Sequence, residues 1–207
     1  MKKLSAFLVA TLLLEFGGQA VRQVTGFELF PALESVAFAA EERKRRKARR
    51  VPNISEMTFR RLAQAQELMD LKEYDAALEV LVEMERRSRR YNGNEMGQVY
   101  SMFAFIMFSK ENNAGTIRYY EKVLEQGDDI TEGLEHGTMY SLAQLYFVEE
   151  EYQRSLDMMD RWLQKKADFG DDPGPNPRYF MGQVHYAMKD YPGATEQIEM
   201  AIAMTEA

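Results

Sequence analysis

The chain is constrained most by a short block that recurs every 39 residues. Four segments, LKEYDAAL, KENNAGTI, EEEYQRSL and MKDYPGAT, align on Tyr74, Asn113, Tyr152 and Tyr191, each 39 residues after the last. Three residues further on stand Ala77, Thr116, Ser155 and Ala194. Nine residues before the aligned position stand Ala65, Ala104, Ala143 and Gly182. All eight are small. Two antiparallel helices can approach closely only where side chains are small, and larger neighbours then fill the space around the crossing. Leu81, Tyr120, Met159 and Ile198, then Met84, Val123, Trp162 and Ala201, recur at the positions suited to that filling. Leu142, Leu145 and Tyr146 before the joint, and Leu156, Met159 and Leu163 after it, follow the helical period. The spacing therefore predicts an all-α fold of four helical hairpins, with a tyrosine packing the turn in the first, third and fourth. A hairpin of this kind cannot bury its own outer face and must stack on its neighbours. Segments 91–97, 126–133 and 168–177, rich in Gly, Asp, Asn and Pro, read as the loops between units.

Composition closes off most chemistry. The 207 residues contain no cysteine, which excludes disulfides, thiolate metal sites and cysteine nucleophiles. The two histidines, His136 and His185, lie 49 residues apart on different predicted helices and lack the spacing of a ligand pair. Glu149-Glu150-Glu151, Asp128-Asp129 and Asp171-Asp172 lack the alternating spacing of a calcium loop and read as solvated turns. No G-x-S-x-G nucleophile motif occurs. The sequence points to a protein that is not an enzyme and that carries neither cofactor nor metal.

The charge is unevenly spread. Residues 1–39 are neutral overall, residues 40–50 (AEERKRRKARR) carry +5, and residues 51–207 carry −12. The first residues, MKKLSAFLVATLLL, place two lysines before an apolar run too short to span a bilayer, which takes about 20 residues. They fit a secretory signal. Ala37-Phe38-Ala39 offers a cleavage site that assigns residues 1–39 to the leader, and Gly18-Gln19-Ala20 is the competing site. Residues 40–54 are then a basic disordered arm and residues 55–207 the folded domain, exported to the periplasm. Arg43, Lys44, Arg45, Arg46, Lys47, Arg49 and Arg50 supply the arm's charge. They suit attachment to anionic lipid headgroups, each contributing about 1 kcal/mol near such a surface, or to an acidic partner. A nucleic-acid partner fits poorly, because the rest of the chain is acidic.

The small residues at two fixed sites, the aromatic at the turn and the proline-bearing segment before the last unit resemble the tetratricopeptide repeat. The usual period there is 34, so 39 implies longer loops. The match is weakest in the second unit, where Asn113 and Thr116 replace the aromatic and the alanine. RLAQAQELMDLKEYDAALEVL and YSLAQLYFVEEEYQRSLDMMDRWL further resemble a bacterial periplasmic group of tetratricopeptide-repeat proteins described as components of the TonB energy-transduction system. The resemblance implies a solenoid whose first helices line a concave groove. Carried over by position, the groove rows are Leu62, Ser101, Tyr140 and Tyr179; Gln66, Phe105, Gln144 and Gln183; and Met69, Phe108, Phe147 and Tyr186. Amides there can bond a peptide backbone while rings grip its side chains; burial of Phe105 and Phe147 between helices is the competing reading.

The function expected from this resemblance is a non-enzymatic scaffold. It would hold a segment of an envelope partner, a TonB-system component, in the groove and so assist outer-membrane transport. A periplasmic chaperone or cell-wall assembly adaptor is the alternative. The last unit also predicts a bare apolar face at Ile198, Ala201 and Ile202. A partner, a second copy of the chain or a continuation of the chain would cover it.

Overall fold

A computed structural model describes residues 49–206. Within them every regular element is helical, and the helices form four hairpins. The first is α1 (Glu56–Asp70) with α2 (Tyr74–Arg86), and the second is α3 (Gly93–Ser109) with α4 (Asn113–Leu124). The third is α5 (Glu132–Val148) with α6 (Tyr152–Asp168), and the fourth is α7 (Asn176–Ala187) with α8 (Tyr191–Glu206). Short 3-10 turns lie at Ser88–Arg90 and Gly127–Asp129. The second helix of each hairpin begins at one of the four aligned residues, Tyr74, Asn113, Tyr152 and Tyr191. Each hairpin packs internally and then onto the next, α2 against α3, α4 against α5, and α6 against α7.

The turns inside the hairpins are built alike. Lys72, Glu111, Glu150 and Lys189, again 39 residues apart, hold φ of 61°, 57°, 62° and 63°. The amide after each donates back to the last turn of the first helix: Glu73 to Leu68 O, Asn112 to Met107 O, Glu151 to Tyr146 O and Asp190 to His185 O, at 2.8–2.9 Å. These bonds satisfy carbonyls that a helix end otherwise leaves open, in the pattern that usually places glycine in the left-handed position. The aromatic after the turn packs at a steep angle on the residue five before it, Tyr152 on Phe147 and Tyr191 on Tyr186, with ring centroids 5.8 and 5.7 Å apart. Asn113 instead donates to Glu149 of the following hairpin at 2.8 Å.

The small residues sit where the helices cross. All eight are buried, Ala65, Ala104, Ala143, Ala77, Thr116 and Ser155 completely. Ser155 Oγ donates to the Ala143 carbonyl at 2.7 Å, joining two of the aligned small positions across α5 and α6. At Gly182 an added Cβ would lie 2.9 Å from Ile198 Cγ1, so α7 and α8 meet there without room for a methyl. A buried hydrophobic cluster runs from Ile117 through Met139, Leu142, Tyr146, Met159 and Trp162 to Val184, and so ties hairpins two to four together.

The connections differ from expectation at residues 91–97. Gly93 to Gly97 form the first turns of α3 rather than a loop. The reason is a capping box: Asn92 Oδ1 accepts from Glu95 N at 3.0 Å, and Glu95 Oε2 accepts from Asn92 N at 2.9 Å. Gly97 is needed there because its face is pressed against Ile130.

The expected leader, residues 1–39, and the arm as far as Ala48, including Arg43, Lys44, Arg45, Arg46 and Lys47, lie outside the described residues. The end of the expected disordered arm, residues 49–54, is instead built onto the helices. Pro52 O accepts from Asn94, Asn53 O accepts from Asn92, and Ser55 N donates to Glu95 Oε1, each at 2.9 Å. Among the described residues no helix is long and apolar enough to cross a membrane.

Candidate functional site

Three of the twelve predicted groove residues are not presented to a ligand. Leu62 and Met69 are buried on the α1 stripe that they share with Thr58 and Ala65, the stripe that closes against α2. Ser101 is buried on α3 between the buried residues Val99 and Met102. Helical phase explains the miss: on a helix that packs on two sides, the positions carried over from the family fall inside the contact.

Two further positions do structural work as well. Tyr140 lies between Trp162 and Phe180, with centroids 5.3 and 6.5 Å away. That burial also pushes its phenol pKa upward. Phe147 meets Phe180 edge-on at 5.8 Å. These two rings, from different predicted rows, converge on Phe180 and clasp α5 to α7. Phe108 packs half-buried against the same cluster. Phe180 was not singled out from the sequence, although it follows Tyr179 directly.

The remaining positions form a band. Gln66, Phe105, Gln144 and Gln183 occupy equivalent places on α1, α3, α5 and α7, and all four are half-exposed. Tyr179 is half-exposed, and Tyr186 is 66% exposed. Gln66 Nε2 donates to Asp70 at 2.7 Å. The Gln66 oxygen is buried as well, so the band offers the amides of Gln144 and Gln183 on α5 and α7 beside the rings of Phe105, Tyr179 and Tyr186, which suits backbone hydrogen bonding with adjacent ring contacts.

Arg49 and Arg50 are the described members of the basic stretch, and Arg49 is not a free charge. Its guanidinium sits 3.1 Å from Asp128 and 2.9 Å from Glu135, and it donates to Ile130 O at 3.2 Å. Lys165 reaches the other Glu135 oxygen at 2.7 Å. Burial alone would raise the Glu135 carboxyl pKa, but the Lys165 and Arg49 cations outweigh it and hold the group below its ordinary value. Glu95 behaves similarly. Its burial is outweighed by the amides of Ser55 and Asn92 and the hydroxyls of Thr58 and Ser55. Glu95 therefore fixes the starts of α1 and α3 at once.

The histidines do not converge. His136 on α5 is buried edge-on to Phe169 at 5.5 Å, and burial and nearby Lys166 depress its pKa. His185 on α7 pairs with Asp190 at 2.8 Å, and Asp190 also accepts from Gly193 N at the start of α8. Among the described residues no group of His, Asp or Glu is placed to hold a metal ion.

One polar network went unread in the sequence. Tyr146 Oη donates to Glu121 at 2.8 Å. Arg154 lies 4.0 Å over the Tyr146 ring and pairs with Glu121 and Glu151, each at 2.5 Å. Burial and the Glu121 carboxylate raise the Tyr146 phenol pKa. The network stands in a 490 Å³ cleft between α4, α5 and α6, with Leu142 and Met158 on its walls. Its members satisfy one another and act as a joint between hairpins two and three. Sequence periodicity does not show it, because Glu121 and Arg154 lie on solvated helix faces 33 residues apart. Scans against protein-family models give no match, and no curated protein matches the chain.

Proposed function

We propose that the protein is a non-enzymatic scaffold of the tetratricopeptide type, a four-unit helical-hairpin solenoid that holds an extended segment of a protein partner along its first helices. The observation that carries this reading is the half-exposed band Gln66, Phe105, Gln144 and Gln183, at equivalent positions on α1, α3, α5 and α7. The Gln144 and Gln183 amides of this row can bond a peptide backbone irrespective of its sequence, while Phe105, Tyr179 and Tyr186 contribute ring contacts that select side chains. The acidic body, −12 over residues 51–207, favours a partner segment bearing Lys or Arg. The leader-like start and the resemblance to the periplasmic group support a partner in the cell envelope. A component of the TonB energy-transduction system is the partner that the resemblance names, and the basic residues before Arg49 are proposed to favour an anionic membrane surface.

The test combines Tyr179→Ala with Gln144→Ala in the full chain and measures capture of partners from envelope extract, with mass spectrometry to identify them. Loss of the captured proteins with unchanged helicity supports the reading. Undiminished capture by the folded double variant refutes the groove. Recovery of cell-wall enzymes without any TonB-system protein refutes the pathway.

A further inference from the structure

One connection between hairpins carries the opposite charge to its counterparts. Arg86 ends α2, and Arg87, Arg89 and Arg90 follow in and beside the 3-10 turn that leads to α3. The residues 39 positions later are Glu125, Gln126, Asp128 and Asp129, and those 39 later again are Gln164, Lys165, Ala167 and Asp168. The three connections share a place in the fold but not a charge, so joining one hairpin to the next does not itself call for arginine.

All four arginines are exposed. The carboxylates around them are engaged elsewhere. Glu83 lies 3.2 Å from Arg61 and 3.1 Å from Arg87, Glu85 pairs with Lys122 at 2.5 Å, and Asp128 pairs with Arg49 at 3.1 Å. Glu95 is buried and accepts from the amides of Ser55 and Asn92. Asp129, which lies against Gly93, and Glu125 are exposed carboxylates that reduce the local charge without cancelling it. The strap before α1 adds a further arginine to this edge. Asn53 O accepts from Asn92, two residues beyond Arg90, and the exposed Arg50 stands three residues before Asn53, within about 11 Å along the chain.

We propose that Arg50, Arg86, Arg89 and Arg90 form a face that binds the headgroups of anionic phospholipids and sets the protein on a membrane by the edge between α2 and α3. This face is separate from the first-helix band and from the basic run before Arg49. A guanidinium donates two parallel hydrogen bonds to a phosphate, and each basic residue beside an anionic surface raises partitioning about fivefold. The rest of the body is acidic and is repelled by such a surface, but repulsion is screened beyond about 10 Å at 0.1 M salt. Only an edge that concentrates arginine can therefore make the approach. An acidic protein segment fits less well, because protein interfaces are held by a few large, buried anchors. The exposed large apolar side chains of the described region lie no later than Leu71 or no earlier than Tyr186, Ile198 and Ile202 among them, whereas Ala201, expected bare with these two, is buried. The arginine edge thus has no apolar anchor, and a layer of headgroups requires none. The leader-like start favours lipid over nucleic acid as the source of the phosphates.

Co-sedimentation of the full chain with vesicles tests this. One set contains equal parts of phosphatidylglycerol and phosphatidylcholine, the other phosphatidylcholine alone. The ratio of the two partition coefficients is the readout, so any apolar insertion common to both sets cancels. Wild type should prefer the anionic vesicles, and combining Arg86→Gln, Arg89→Gln and Arg90→Gln should lower that preference about 100-fold with unchanged circular dichroism. The chain has no cysteine, so single labels can be placed at Ser88→Cys beside the arginines and at Glu111→Cys in the turn at the other end of α3. The 17 residues of α3 separate the two labels by about 25 Å. A quencher attached to the headgroups should quench the first label and spare the second. A second variant replaces Arg43, Lys44, Arg45, Arg46 and Lys47 with Gln and reports on the basic run by itself. Loss of preference in that variant, with the triple variant unchanged, overturns the face and leaves the run as the attachment. Wild type without preference for the anionic vesicles, including wild type retained by duplex DNA instead, overturns the proposal. So does equal quenching of both labels.

Discussion

Replacing Lys72, Glu111, Glu150 and Lys189 with glycine should stabilise the protein. Each residue holds a left-handed conformation, with φ between 57° and 63°, and each side chain is exposed. For a residue with a Cβ that conformation costs about 1–2 kcal/mol. Glycine avoids the cost but loses about 0.5–1 kcal/mol more entropy on folding. The net gain is about 0.5–1 kcal/mol per turn. The four turns belong to separate hairpins, so the gains should add to about 2–4 kcal/mol. For a domain of this size that corresponds to a rise in Tm of roughly 4–16 °C. Thermal and urea unfolding can be followed by circular dichroism and by the emission of Trp162, the only tryptophan, which is buried in the main cluster. Leu71→Gly is the control. It lies one residue earlier, at φ −78°, where glycine brings no conformational relief and should cost about 0.5–1 kcal/mol. If the four glycines destabilise the protein as much as the control does, the turns are not held as described.

Other perturbations follow from the same packing. Ala143→Leu forces three carbons into the crossing where Ser155 bonds the Ala143 carbonyl, and should cost about 3 kcal/mol in urea unfolding. Glu95→Gln should cost about 1–2 kcal/mol at neutral pH, by removing the charge that two amides and two hydroxyls stabilise. Because the folded-state carboxyl titrates below its ordinary value, that stabilisation is complete above the unfolded pKa. It disappears as pH falls through the lower folded value. The difference between wild type and Glu95→Gln should therefore close in acid, as unfolding midpoints at several pH values will show.

The hairpin pattern was legible because its determinants are local and repeated. A small residue at a crossing and an aromatic at a turn leave the same mark in each unit, so Ala143 and Ser155 could be paired from spacing alone. The second helices begin at the aligned positions even where Asn113 replaces tyrosine. The left-handed residues shared the period but not the chemistry. Lys72, Glu111, Glu150 and Lys189 resemble any solvated turn residue, and no glycine betrays the conformation. Gly93 to Gly97 read as a loop on glycine content, whereas the Asn92–Glu95 capping box starts a helix there. The groove positions were the least legible. Whether Leu62 or Gln66 faces solvent depends on a rotation of about 40° around the helix, which period alone does not fix. Arg49 looked like its neighbours in a basic run, yet Glu135 and Asp128, distant in sequence, take it out of that run.

Site-specific photo-crosslinking in living cells addresses the binding surface directly. A photoreactive residue placed at Gln144 or Gln183, on the first-helix band, should capture the same partner segment. One placed at Gln153 or Gln164, on the exposed side of α6, should capture none. Equal capture from both sets, or capture only from α6, would contradict a binding surface formed by the first helices.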